Sequence, residues 1–348
     1  MAAIMLRKIL IISDISYKSK AVFVDQIPKL TKGFIRLGHD VRCLSYGGIL
    51  AQFSPFKSRS LSKLLCKKKT DETICRYAKQ YCPDMVLIGF AKFLDDATIR
   101  VLREKAPAAV FVGFDGDLWP GRNPGRIEAA RELDIVLATN NGSSLDEYRQ
   151  AGVKKCVFLP NVCDPDLDYR YPVDGHMRSD ILWTGKVQHK GSLNSGDTLR
   201  QDVLSLLAAD SRARLYGCLG RSQIEGLDYL YAISGAKIGV SINAINSVPL
   251  YHSDRFTHYS ACGTMVLAKR VPDTERLMED KKHVVYFDTP QECMELIDWY
   301  LAHEEERKKI AEAGMQRCHT YFNPTRIAGY IIELVGRGRY EAPWGVFE

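Results

Sequence analysis

Apolar residues come in short runs separated by stretches with a helical period. Ile9-Leu10-Ile11-Ile12 follows Lys8 and stops at Ser13-Asp14, the pattern of a strand buried on both faces of a parallel sheet. Val24 to Leu37 is amphipathic with a helical period and is closed by Gly38. Asp40 to Tyr46 reads as a second strand, closed by Gly47-Gly48, so the opening is a β-α-β unit. Strands are predicted at Met85–Gly89, Ala109–Phe114, Ile135–Thr139 and Cys156–Pro160. Helices are predicted between them at Asp71–Tyr81, Asp95–Glu104, Arg126–Arg131 and Ser144–Ala151. This alternation predicts an open α/β sheet with helices on both faces.

From Asn161 to Arg178 the period is lost, and Pro165, Pro172 and Gly175 punctuate a polar stretch with the composition of a linker. A second α/β series follows. Its strands are predicted at Ile181–Thr184, Ala213–Gly217, Ile238–Ile242, Met265–Ala268 and Val284–Phe287. Its helices are predicted at Thr198–Ala209, Pro290–His303, Glu304–Gly314 and Pro324–Val335. The expected architecture is therefore two Rossmann-like α/β domains facing a cleft. The predicted boundaries are 1–160 and 180–323, with a linker at 161–179 and residues 324–348 crossing back to the first domain.

The length of 348 residues is enough for two buried cores. With 46% hydrophobic and 26% charged residues the chain falls outside the disordered, collagenous and mucin-like classes. A net charge of +6 is mild for this length, below that of a dedicated nucleic-acid binder, and suits an anionic small ligand. The ten cysteines are scattered without a Cys-x-x-Cys pair and are expected to be reduced. Lys8 interrupts the first apolar stretch, which is too short for a signal peptide, and no window approaches the roughly eighteen apolar residues of a membrane span. A cytoplasmic protein is expected, with peripheral attachment at the inner membrane face left open.

In an open α/β domain ligands bind at the carboxyl ends of the strands. Strand 181–184 runs into Gly185-Lys186-Val187-Gln188-His189-Lys190-Gly191-Ser192, whose lysines and backbone N–H groups suit a diphosphate. It is not a P-loop, since GxxxxGK[ST] is absent. A second segment, Tyr251 to Thr264, puts Arg255 near a helix start, where its planar fork matches phosphate oxygens. Ser260-Ala261-Cys262-Gly263, followed by Thr264, offers small side chains that let backbone approach a ligand. The competing reading of these segments is a solvated basic loop and tight helix–sheet packing.

These residues resemble the C-terminal half of GT-B glycosyltransferases, near the group 1 and CgeB-like (spore maturation) families. The resemblance is carried by Gly185-Lys186, Lys190-Gly191, Ser253-Asp254-Arg255, Ser260-Ala261-Cys262-Gly263, Pro290-Gln291-Glu292 and His319-Thr320-Tyr321. It runs over most of residues 130–325. It implies a nucleotide-diphosphate sugar as co-substrate and transfer of the sugar to a hydroxyl acceptor. It implies donor-binding roles for Gly185, Lys186, Lys190, Arg255, His258, Cys262, Gly263 and Thr264, and for Arg200, which matches an arginine common in CgeB-like proteins. The families' paired glutamates fall at Leu250 and His258, a departure that leaves donor geometry and stereochemistry open. No cofactor is implied. Mg²⁺ is compatible but not required, because basic residues and a helix N-terminus neutralise the diphosphate in this architecture.

In the first domain, Asp115 and Asp117 follow a predicted strand and are the candidates for orienting the acceptor or accepting its proton. Turn capping is the alternative role for both. The run Lys57, Arg59, Lys63, Lys67, Lys68 and Lys69 is interleaved with Phe56, Leu61, Leu64 and Leu65. As a helix it would form a basic amphipathic face for an anionic membrane or a polyanionic acceptor. The acceptor could be a glycan, a lipid-linked group, a protein or a nucleic acid. A sugar-nucleotide epimerase of the same architecture and a non-catalytic nucleotide- or glycan-binding protein are the two rival functions.

Overall fold

The computed structural model describes residues 7–13, 26–56, 58–89, 94–116, 124–186 and 198–348. The chain divides into two compact units, Met1–Pro160 with Pro324–Glu348, and Asn161–Asn323.

The first unit begins β1 (Lys8–Ser13), α1 (Gln26–Arg36), β2 (Asp40–Ser45), α2 (Tyr46–Phe53), α3 (Arg59–Tyr81) and β3 (Met85–Gly89). It continues α4 (Asp96–Lys105), β4 (Val110–Asp115), α5 (Pro124–Arg131), β5 (Ile135–Ala138), α6 (Ser143–Gln150) and β6 (Cys156–Phe158). Its sheet has the order β2-β1-β3-β4-β5-β6, and every pairing is parallel. Leu10, Ile12, Val86, Ile88, Phe111 and Val136 face one core. Such runs are apolar throughout because each central strand is covered by helices on both sides.

Two predictions are corrected here. Gly47-Gly48 does not end a strand. It lies in the first turn of α2, whose cap, Ser45, accepts a bond from the Gly48 N–H at 3.2 Å. The basic run and the predicted helix from Asp71 are one helix, α3, opened by Ser58 as its cap. Its heavy lysine content hides the helical period, because the buried stripe there is made of Ser62, Cys66 and Thr70 rather than of large apolar residues.

The second unit contains β7 (Ser179–Thr184), α7 (Leu199–Ala209), β8 (Ala213–Tyr216), α8 (Gly226–Ser234), β9 (Ala236–Ser241), α9 (Asp254–Ala261) and β10 (Met265–Lys269). It ends with β11 (Val285–Phe287), α10 (Pro290–Ala302) and α11 (Glu304–Tyr321). The sheet order is β11-β10-β9-β7-β8, again all parallel. Trp183, Val240, Leu267, Phe287 and Ile297 belong to its core. The helix α8 has no counterpart in the sequence prediction, and α11 runs on past Gly314, whose missing side chain lets the His283 carbonyl approach.

The proline-punctuated stretch after Pro160 packs into this unit. Asp164 and Asp168 are fully buried, and the Asp168 carboxylate accepts from the Asp164 N–H at 2.6 Å. The Cys163 N–H donates to the Phe322 carbonyl at 3.0 Å. From α12 (Pro324–Arg337) the chain is back in the first unit, where α12 packs along α1 and the Pro324 carbonyl sits where a Gly33 side chain would be. The closing hairpin of β12 (Tyr340–Ala342) and β13 (Gly345–Phe347) is tied to β6 by the Tyr340 hydroxyl, which donates to the Phe158 carbonyl at 2.7 Å. All ten cysteines are free thiols. Among the described residues no helix is long and apolar enough to cross a membrane.

Candidate functional site

The second unit concentrates positive charge at the carboxyl ends of its strands. The Arg255 guanidinium, in the first turn of α9, lies 4.3 Å from the Trp183 ring centroid, and that of Arg200, in α7, lies 5.0 Å from it. Arg255 donates from Nη1 to the Thr184 carbonyl at 2.8 Å and from Nη2 to the Ile242 carbonyl at 2.7 Å. It thus ties the carboxyl end of β7 to the residue after β9. Arg200 donates to the Lys186 carbonyl. Both guanidinium groups contact backbone carbonyls and an indole, and the Nε of each is buried without a partner among the described residues.

The sequence folds this way because Gly185 leaves the space. Its φ is +121°, and a Cβ there would fall 2.3 Å from Arg255 Nη1. The strand end is fixed further by the Trp183 indole N–H, which donates to the Gly185 carbonyl at 2.9 Å. The Tyr259 hydroxyl accepts from the Thr184 N–H at 2.9 Å. Close packing of Tyr259 requires Gly239, where a Cβ would meet the ring at 2.3 Å.

Burial, and then the charge of Arg255 beside it, push Arg200 down to about 9. It still carries its proton at neutral pH. Two like charges against one indole, with no carboxylate among the groups that shift Arg200, favour an anion between or above them. Nearby, His252 is buried and held down to about 4, so it is neutral, and its Nδ1 lies 3.0 Å from the Leu250 carbonyl. Leu250 itself is buried with φ +59°.

The other predicted donor residues separate into three groups. Gly185, Lys186, Arg200 and Arg255 share this edge, and Lys186 exposes its side chain there. Lys190 lies outside the described residues, as does Asp117. His258, Cys262, Gly263 and Thr264 are placed elsewhere. His258 is 1% exposed and packs edge-on against Tyr229 of α8, with ring centroids 6.1 Å apart. Cys262, Gly263 and Thr264 follow α9, about 12 Å along its axis from Arg255, and precede β10, so they stand at the amino edge of the sheet. There Thr264 donates to the Ile233 carbonyl at 2.6 Å, and the Gly263 carbonyl accepts from Arg170 at 3.0 Å. Their small side chains pack at that edge, away from Arg200 and Arg255.

In the first unit Asp115 ends β4 and is 2% exposed. Its carboxylate pairs with Arg126 of α5 and accepts from the Tyr148 hydroxyl of α6 at 2.8 Å. That engagement makes it a charge that fastens two helices to the sheet. Burial pushes the Tyr148 phenol up to about 12, so it remains a donor. Trp183, Tyr259, Arg126 and Tyr148 were not singled out from the sequence. Trp183 was detectable as an aromatic residue immediately before a Thr-Gly-Lys strand end, whereas Arg126 and Tyr148 meet Asp115 only in the folded sheet.

Residues 200–333 match a family described as glycosyl transferase-like. No curated protein sequence matches the chain. Among solved structures, the chain is similar to Anabaena Alr3699/HepE in complex with UDP and glucose. The TM-score is 0.58 at 13% identity, over 95% of this chain and 100% of that one. It is similar to a glycosyltransferase from Rickettsia africae, with TM-score 0.60 and 13% identity over 95% and 98%. A putative UDP-N-acetylglucosamine 2-epimerase from Listeria monocytogenes gives TM-score 0.54 at 8% identity over 94% and 95%. The fold is GT-B, two Rossmann-like α/β units, and its second unit carries most of a glycosyl transferase-like segment.

Proposed function

We propose that the protein is a glycosyltransferase that moves a sugar from a nucleotide-diphosphate donor to a hydroxyl acceptor. The observation that carries this is the pair of guanidinium groups on Trp183 at the carboxyl edge of β7, within a unit that carries most of a glycosyl transferase-like segment. The acceptor oxygen bonds to the anomeric carbon as the bond to the diphosphate breaks. The nucleoside diphosphate leaves with the electron pair, and the acceptor proton passes to a base. Arg200 and Arg255 counter the charge that grows on the leaving diphosphate, and Lys186 and Lys190 add to them. A fixed positive edge of this kind needs no metal for the same task, so turnover in the presence of EDTA is part of the reading.

We assign the donor to the second unit and the acceptor to the first. With Asp115 held by Arg126 and Tyr148, Asp117 is the candidate general base. The UDP and UDP-glucose bound by the HepE structures make UDP the first nucleotide to try. A thermal-shift series with UDP, GDP, ADP and TDP tests the site. A ligand that binds only the folded state at a hundred times its Kd adds about 2.7 kcal/mol, so one nucleotide should raise the melting temperature clearly above the others. No response to any of the four would remove the reading. The 2-epimerase neighbour supports the second reading, and product formed from the nucleotide sugar without an acceptor would select it.

We further propose peripheral attachment through α3. Leu64 and Leu65 are 78% and 59% exposed, and Lys68 and Lys69 beside them are exposed too. Apolar side chains set among lysines suit an anionic bilayer surface. The protein should co-sediment with phosphatidylglycerol vesicles at low salt and not with phosphatidylcholine vesicles. Leu64→Glu with Leu65→Glu should abolish this, and absence of sedimentation by the unaltered protein ends the idea.

A further inference from the structure

The opposite edge of the second sheet carries a groove with a charge pattern of its own. One cavity of about 770 Å³ is lined by the first residues of β7, Ser179 and Asp180, by Ser211 and Arg212 just before β8, and by Arg178 and Arg214. A second, of about 560 Å³, is lined by Arg307, Lys308 and Lys309 of α11 and by Gly263. Arg170, Ser234, Gly235 and Lys237 line both, so the two are continuous.

Several of the basic groups are already satisfied. Lys237 pairs with Asp180 at 2.7 Å, Arg212 with Asp210 and Asp298, and Arg170 lies 3.7 Å from Glu312. Arg307 is different. Only 7% of it is exposed, and among the described residues its Nε is buried without a partner and its ion pair, with Glu304, is at 3.9 Å. Ser179 Oγ, on the wall of the larger cavity, is also buried without a partner among the described residues. The Arg178 side chain has no hydrogen bond or ion pair among the described residues. A guanidinium buried so far with so little compensation costs free energy unless a ligand completes its bonds. Burial accordingly holds Arg307 below the ordinary arginine pKa.

We infer that this groove binds a phosphate-bearing small molecule at a site separate from the Arg200–Arg255 edge. The separation is roughly the length of β7, six residues or about 20 Å. Arginine forks match phosphate oxygens in pairs, and lysines add charge without fixed geometry. Tyr171 and Pro172, on the wall of the larger cavity, offer an apolar surface to the organic part of a phosphate ester. An anion bound here would not compete with a nucleotide at the other edge.

The experiment is calorimetric titration of the full chain with two probes, inorganic pyrophosphate and glucose 6-phosphate. Tighter binding of the second shows that the ester, and not a free phosphate chain, is the ligand chemistry. The groove variant is Arg178→Glu with Lys309→Glu, both away from the core. The opposite-edge variants are Lys186→Glu and Arg200→Ala, and far-UV circular dichroism checks each. At least one probe should bind the unaltered protein, weaken tenfold or more in the groove variant, and stay within threefold in an opposite-edge variant. Binding of neither probe overturns the inference. So does a loss confined to the opposite-edge variants, or an equal loss in both sets.

Discussion

Arg255→Ala lowers turnover of the nucleotide sugar by two orders of magnitude or more. Two effects combine. The variant loses one of the two guanidinium groups proposed to meet the leaving diphosphate, and removing a single preorganised donor of this kind costs about 10²–10³ in kcat. It also frees the carbonyls of Thr184 and Ile242, which Arg255 binds at 2.8 and 2.7 Å, so the carboxyl ends of β7 and β9 lose their tie. Arg255→Lys separates the two. It keeps the charge but cannot reach both carbonyls as a fork does, and should recover nucleotide binding more than turnover. Steady-state kinetics with the responding nucleotide sugar, beside thermal unfolding of each variant, checks this. Unchanged kcat/KM in a folded Arg255→Ala protein would remove Arg255 from the site.

The second large effect falls on stability. Asp115→Ala should lose about 3–5 kcal/mol in urea unfolding, because it strands the Arg126 guanidinium, whose side chain is 12% exposed, beside a buried Tyr148 hydroxyl. Asp115→Asn should lose stability as well, since an amide leaves the buried cation without its counter-charge. A general base would behave differently, with kcat falling sharply and the unfolding midpoint unmoved. The two measurements together decide between positioning and proton transfer for Asp115. It ends β4 and ties α5 and α6 to the sheet, just before the Asp117 segment.

Much of the fold was legible along the chain. Ile9–Ile12, Met85–Gly89 and Met265–Ala268 are short apolar runs without alternation, as a parallel strand covered on both faces requires. The glycosyl transferase-like character of residues 200–333 was legible as well, in motifs such as Ser253-Asp254-Arg255 and Ser260-Ala261-Cys262-Gly263. What failed had local physical causes. In α3 the buried stripe of Ser62, Cys66 and Thr70 carries no hydrophobic signal, so half the helix read as a basic run. At Gly47-Gly48 the Ser45 cap outweighs the low helix propensity of two glycines.

The sequence by itself therefore determined the two α/β series, the glycine at the end of β7 and the basic residues near it. These follow from periodicity and residue type, which act over a few neighbours. The tertiary structure decided which end of α9 lies at the carboxyl edge of the sheet. The eight-residue helix α9 runs from the carboxyl edge toward the amino edge, so Arg255 and Gly263 are close in sequence and stand at opposite edges. It decided also that Asp115 is spoken for by Arg126 and Tyr148, that two guanidinium groups 55 residues apart share Trp183, and that an under-bonded Arg307 sits in a basic groove at the far edge. Each of these depends on contacts between residues remote in the chain, and only the folded sheets bring those residues within bonding distance.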